Sequence, residues 1–190
     1  MTPDLQLILA SASPRRKDLL QSVGLDPLVQ PQDVDETPFE QEAPLAYALR
    51  IATLKAEACA RENHQIILAA DTVVAFDGQN LGKPKDDEDA KRMLRALSGK
   101  THVVHTAVVV RGASRFSDVV STQVRFRVLT ESQIDLYVRG GDGRDKAGSY
   151  GIQSGGGTLV AHVVGSYTNV VGLPLEESLS LLRLIGIEND

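Results

Sequence analysis

Ser11-Ala12-Ser13-Pro14-Arg15-Arg16 gathers two hydroxyls and two guanidinium groups within six residues. Residues 7–10 before it are an apolar run long enough for a buried strand. Ser13 is a favourable N-cap and Pro14 suits the first helical position, where its missing N–H costs nothing. Leu19, Leu20 and Val23 then fall on roughly one helical face, and Gly24 supplies a stop. Strand, hydroxyl-rich turn and helix together aim free backbone N–H groups and the positive end of a helix dipole at one point, an anion site. Arg15 and Arg16 add planar donor forks suited to phosphate oxygens. A capped first helix with two solvated arginines accounts for the same residues about as well.

Four further places carry residues able to do chemistry. In Asp33-Val34-Asp35-Glu36-Thr37, Asp35 and Glu36 can hold a hard divalent cation if they face the arginines; otherwise they belong to a polar surface loop. Lys55 lies beside the apolar stripe of a helix, where it either snorkels or sends its ammonium into the anion pocket. Asp71-Thr72 emerges from the apolar run 65–70, and burying an unpaired carboxylate is costly, so function is the better account of Asp71. Lys83 and Lys85 are loop cations, equally compatible with solvent or phosphate. The glycine-rich stretch 140–157 is too long to be an idle connection in a compact domain. It lets backbone approach a ligand, and Gln153 offers both donor and acceptor to a base edge.

These groups need elements to position them. Residues 45–61 read as a helix with Leu45, Ala48, Leu49, Ala52, Ala56 and Cys59 on one stripe. The run 65–70 continues as strand through 73–76 to an Asp77-Gly78 hairpin turn. Asp86-Asp87-Glu88-Asp89 opens a helix with Ala90, Met93, Leu94 and Leu97 inward, its acids complementing the dipole. Residues 102–111 and 119–129 read as long strands, the second with Val120, Val124, Phe126 and Val128 inward and Arg125 and Arg127 on the wet face. His102 and His105, three apart, fall on opposite faces and share no metal. Thr130 and Gln133 form a capping box for a short helix through Ile134 and Tyr137. Strand-like residues resume over 158–164, and Pro174 starts a last helix with Leu175, Leu179, Leu182 and Ile185 inward. The order predicts an α/β fold: a mixed twisted sheet with flanking helices, and two lobes around a cleft. Residues 1–190 form a single domain in this reading.

The bulk properties narrow the ligand. A net charge of −5 and 4% aromatic residues disfavour a nucleic acid polymer and suit a small phosphorylated ligand in a local basic pocket. The single cysteine, Cys59, excludes an internal disulfide and reads as a buried structural thiol. No signal peptide and no membrane-length apolar run is visible, so the expected location is cytoplasmic, with no membrane partner.

With these residues in view, the chain resembles the Maf family, nucleoside triphosphate pyrophosphatases once named for septum inhibition. The likeness runs in order through residues 9–16, Asp35-Glu36-Thr37, Leu49-Arg50 to Lys55-Ala56, residues 70–74, Gly82-Lys83-Pro84, residues 145–153 and Val171-Gly172-Leu173-Pro174. Ser149 departs from it, where Ala is expected. The resemblance implies an inosine-triphosphatase-like fold, a nucleoside triphosphate substrate, dependence on Mg²⁺ or Mn²⁺, release of pyrophosphate, and a homodimer. It implies that Asp71 is the proton acceptor and that Arg15, Thr72 and Gln153 govern substrate choice. Ser11, Arg16, Lys55 and Lys83 match phosphate-pocket positions, with Glu36 and Asp71 as metal partners. Asp71-Thr72 combined with Tyr150-Gly151-Ile152-Gln153 is similar to the branch acting on dTTP and UTP. A nucleotide-binding regulator of division and a small-molecule phosphatase are the competing readings; the first would bind nucleotide without releasing pyrophosphate, the second would release orthophosphate.

Overall fold

The computed structural model describes residues 5–187. Its strands are β1 (Gln6–Leu9), β2 (Leu28–Val29), β3 (Gln65–Phe76), β4 (Gln79–Leu81), β5 (Thr101–Arg111), β6 (Arg115–Phe126) and β7 (Val160–Val164). All seven join one mixed sheet in the order β2-β1-β3-β5-β6-β7, with β4 paired to β3. β1 runs parallel to β2 and β3, and every other pairing is antiparallel. The helices are α1 (Pro14–Gln21), α2 (Pro44–Ala58), α3 (Asp87–Leu97), α4 (Glu131–Arg139), α5 (Tyr167–Val171) and α6 (Leu175–Arg183). The mixed sheet with flanking helices is therefore the expected architecture.

β3 organises it. Along one edge β3 pairs with β5 from Ile67 to Ala75 without interruption. Along the other it pairs with β1 over residues 65–68 and with β4 over 74–76. Residues 69–73 face no strand on that second edge, so the sheet forks there. β3 is apolar on both faces, as a central strand must be. One face, with Ile67, Ala69 and Val73, packs under α2 through Ala48, Ala52 and Ala56. The opposite face, with Ile66, Leu68 and Ala70, meets Leu20 of α1 and Leu182 of α6. Beyond the fork a third core forms from Val74, Leu94, Leu97, Val124, Phe126, Ile134, Tyr137 and Tyr150.

Several elements differ from the sequence reading. α2 begins at Pro44, leaves Leu45 exposed, and ends at Ala58, where Cys59 turns to extended backbone; Ile51 takes the buried place instead. Cys59 is buried as expected. β6 starts earlier and stops at Phe126, where its register with β7 slips, so Val128 is 83% exposed rather than inward. Ser13 occupies the N-cap of α1 but caps nothing: its N–H donates to Ser11 Oγ at 3.2 Å. Pro174 is the N-cap of α6, and Ile185 lies beyond the helix end, still against the core. The capping box at Thr130 and Gln133 is present. Asp77 and Gly78 both have positive φ (49° and 76°), which the tight hairpin requires.

Candidate active site

A cleft of about 970 Å³ opens at the fork of the sheet, near the upper end of the ~300–1,000 Å³ usual for small-molecule sites. Ser11, Arg15, Arg16, Glu36, Lys55, Asp71, Thr72, Lys83 and Gln153 all line it. The distant segments singled out in the sequence thus converge on one place. Lys85 is not part of the lining; its backbone N–H donates to Asp89 at the start of α3.

Alternation along β3 sends Asp71 and Thr72 to opposite faces. Asp71 is 8% exposed, on the α2 side, and its Oδ1 accepts from Lys55 Nζ at 2.8 Å. The same ammonium lies 2.6 Å from Glu36 Oε1. Lys55 therefore reaches into the cleft and joins two carboxylates, in place of the snorkelling alternative. Burial pushes the Asp71 carboxyl up; Lys55 and Arg16 oppose the rise, and Glu36 adds to it. A raised carboxyl is the more willing proton acceptor near neutrality.

Thr72 faces the other core. Its hydroxyl accepts from Arg16 at 3.2 Å and shares a 2.9 Å bond with Thr106, whose own proton goes to Asn169 O at 2.9 Å. Arg16 is buried, donating through Nε to Gly172 O at 2.7 Å and through Nη1 to Ser11 Oγ at 2.8 Å. Three of its five N–H groups are thereby spent on protein. Burial lowers the Arg16 pKa, with Asp71 opposing. Ser11 Oγ accepts from both Arg16 and Ser13 N–H, which leaves its proton free to donate. Among the described residues the side chains of Arg15 and Lys83 make no hydrogen bond or ion pair, so both charges remain available in the cleft.

Glu36 sits in the irregular segment between β2 and α2, held by contacts that sequence alone did not reveal. Tyr47 donates to Glu36 O at 2.8 Å. Arg50 grips Glu42 with two bonds of 2.7 Å, donates to Thr37 O at 3.1 Å, and lies 4.0 Å from the Phe39 ring centroid. Guanidinium, carboxylate and ring form a staple. The helical placement of Tyr47 and Arg50, three apart on the exposed flank of α2, was the available signal. Arg50→Ala is expected to loosen this segment and lower kcat/KM on the order of tenfold through misplacement of Glu36. An unchanged kcat/KM in a folded variant would show that the staple does not hold Glu36 in its working position.

Glu36 and Asp71 are the side chains of the cleft that could hold a metal. They are hard oxygen donors converging on one cationic point, the chemistry that suits Mg²⁺ or Mn²⁺. Among the described residues no group of three His, Cys, Asp or Glu side chains converges. Glu36 and Asp71, which meet at the Lys55 ammonium, are two carboxylates that could share a cation with phosphate oxygens. On β5, His102 and His105 have separate partners: His102 is buried against the Tyr150 hydroxyl at 2.7 Å and His105 meets Ser121 at 2.7 Å.

The glycine-rich stretch is an ordered wall of the cleft, folded as two 3₁₀ turns (Ala147–Ser149 and Gly155–Leu159). It brings in Asp142 and Lys146, which the sequence reading left out of the site. A Cβ on Gly143 would stand 2.1 Å from Ser149 O, so only glycine fits. Ser149 is buried at positive φ (63°), a strain the expected Ala would share, and the difference Ser makes is a buried hydroxyl with no hydrogen-bond partner.

The molecule is an α/β protein whose cleft gathers an acid from a central strand, a basic turn and a glycine-rich wall, and residues 6–185 match the family described as Maf-like protein. The chain belongs to that family. It is 50% identical over 186 residues to a protein of Anaeromyxobacter dehalogenans (strain 2CP-C) named dTTP/UTP pyrophosphatase, covering 95% of this chain and 94% of that one. A protein of the same name from Shewanella oneidensis is 47% identical over 194 residues, covering 96% and 100%. Among solved structures, a HAM1 protein from Coxiella burnetii aligns with 64% of this chain and 73% of its own, at a TM-score of 0.45 and 17% identity.

Proposed function

We propose that this protein is a nucleoside triphosphate pyrophosphatase that hydrolyses dTTP and UTP, and related pyrimidine nucleotides such as CTP or modified forms, to the monophosphate and pyrophosphate. Its role is to clear non-standard nucleotides from the pool. The observation that carries this reading is the ionic knot of Asp71, Lys55 and Glu36 lining a nucleotide-sized cleft, in a chain half identical to a dTTP/UTP pyrophosphatase.

A triphosphate brings about four negative charges, which must be offset before a nucleophile can approach. Arg15 and Lys83 have free charges for its oxygens. The Ser11 hydroxyl and the unspent N–H groups of Arg16 donate at the base of the cleft. A divalent cation held by Glu36 and Asp71 would neutralise phosphate charge and acidify a bound water. Asp71 takes the proton of the attacking water as its oxygen bonds to the α-phosphorus. The bond from that phosphorus to the bridging oxygen breaks, and pyrophosphate leaves; no covalent intermediate is needed. Lys55 keeps Asp71 ionised and aimed. Arg15 and Gln153 select the nucleotide directly. Thr72, whose hydroxyl is committed to Arg16 and Thr106, acts on selection by fixing Arg16 and the shape of the wall.

The test is a nucleotide panel with Mg²⁺ or Mn²⁺ in which pyrophosphate and orthophosphate are measured separately. Pyrophosphate released in equal amount with monophosphate, fastest from dTTP and UTP, is the expected result. Orthophosphate as first product, or tight binding with no turnover at any metal concentration, would overturn it.

A further inference from the structure

A carboxylate in a cleft that receives a polyanion is electrostatically unwelcome. Asp142 is such a group, lining the same cleft as Gln153. Its Oδ2 accepts from the Tyr137 hydroxyl at 2.6 Å, and its Oδ1 accepts from the Ser154 hydroxyl at 2.6 Å. Lys146 Nζ lies 3.4 Å from Oδ1, bonds to the Asp142 carbonyl, and pairs with Asp145 at 2.8 Å. Tyr137 in turn accepts the Gly151 N–H at 3.2 Å. One carboxylate thus ties α4 to both ends of the turn 151–154, which closes on itself by Ser154 N–H to Gly151 O at 3.3 Å. Burial works to raise the Asp142 carboxyl, but the bonds from Ser154, Tyr137 and Lys146 outweigh it and hold the group ionised.

The same turn is pressed against the backbone that follows. A Cβ on Gly156 would lie 2.5 Å from Gly151 O, and one on Gly157 would lie 2.7 Å from Ile152 O. Gln153 rides on this turn, exposed, and its amide makes no hydrogen bond among the described residues. The backbone of the turn therefore sets the point from which that amide reaches into the cleft.

We infer that Asp142 is a positioning residue for nucleotide choice: by clamping Tyr137, Lys146 and Ser154, it fixes the turn that presents the Gln153 amide to the base. The inference rests on the reading of Gln153 as a base contact. It also explains why a carboxylate is tolerated here, since its charge is taken up by donors from α4 and from its own loop.

The experiment compares kcat and KM for UTP and GTP in the full chain and in Asp142→Ala, Asp142→Glu, Gln153→Ala and the Asp142→Ala/Gln153→Ala double variant. Asp142→Ala is expected to reduce the UTP-over-GTP ratio of kcat/KM about tenfold, mostly through a higher KM for UTP, with kcat held within about threefold. Asp142→Glu should recover most of the ratio. The double variant should discriminate no worse than Gln153→Ala alone, because both changes act through one amide. If Asp142→Ala does not fold, Ser154→Ala removes a single clamp bond and is expected to lower the ratio about threefold on the same readout. Additive losses in the double variant, or an unchanged ratio in both Asp142→Ala and Ser154→Ala, would overturn the inference while leaving Gln153 as base reader. An unchanged ratio in Gln153→Ala would instead overturn the base contact itself and the clamp with it.

Discussion

Asp71→Asn is expected to lower kcat about 10³-fold, the scale on which a lost general base is felt, while leaving the fold intact. Asparagine matches the shape of aspartate, and Lys55 retains Glu36 as a partner. The melting temperature should be equal or higher. The pKa of Asp71 is raised in the folded chain, chiefly by burial, so its ionised form destabilises the fold. The stability contributed by the protonated form is complete below the ordinary carboxylate range and is lost as pH rises through the raised value. The neutral amide has no such penalty at pH 7. Steady-state release of pyrophosphate and a thermal melt check both halves. Near-normal turnover would remove Asp71 from the chemistry, and a collapsed melt would mean that the carboxylate holds the fold rather than the reaction.

Lys55→Met should have the second-largest effect, about 10²-fold in kcat/KM, on the scale of a misaligned or mistuned catalytic group. The variant keeps the stem that crosses the α2 face but removes the charge between Asp71 and Glu36. Burial and the Glu36 charge would then raise Asp71 with only Arg16 in opposition. Because the reaction needs Asp71 deprotonated, activity rises with pH through its pKa. The acid limb of the pH profile should lie higher in the variant than in the parent at the same metal concentration. A limb that stays put would show that Lys55 does not tune Asp71, whatever it does to the rate.

Much of this site was legible because its signals are local. An acid leaving an apolar strand, a Ser-x-Ser-Pro-Arg-Arg turn and a crowd of glycines each stand out within a few residues. What held those pieces together was not legible. The snorkelling and pocket readings of Lys55 look identical along a helix, and only the chain folding back to bring Asp71, 16 positions on, against it decided between them. The Arg50 staple and the Asp142 clamp are likewise made of ordinary surface residue types whose partners come from the tertiary fold. Alternation misled at Val128 because the pattern runs on in sequence after β6 has slipped register and left the sheet. β2 and α5 went unread because two and five residues are too few to carry a period, and β4 was legible only as the far arm of the Asp77-Gly78 hairpin.

The fork in the sheet bears on how a nucleotide can enter. β3 serves both lobes as one unbroken spine, bonded to β5 at nine consecutive residues across the level of Asp71. Swinging the lobes apart on a hinge would shear that ladder. The two walls without sheet support are held by side chains instead, the Glu36 segment by Arg50 and the Gln153 turn by Asp142. A nucleotide therefore meets a cleft whose spine and rims are already in place, and its binding is spent on contacts rather than on closing lobes.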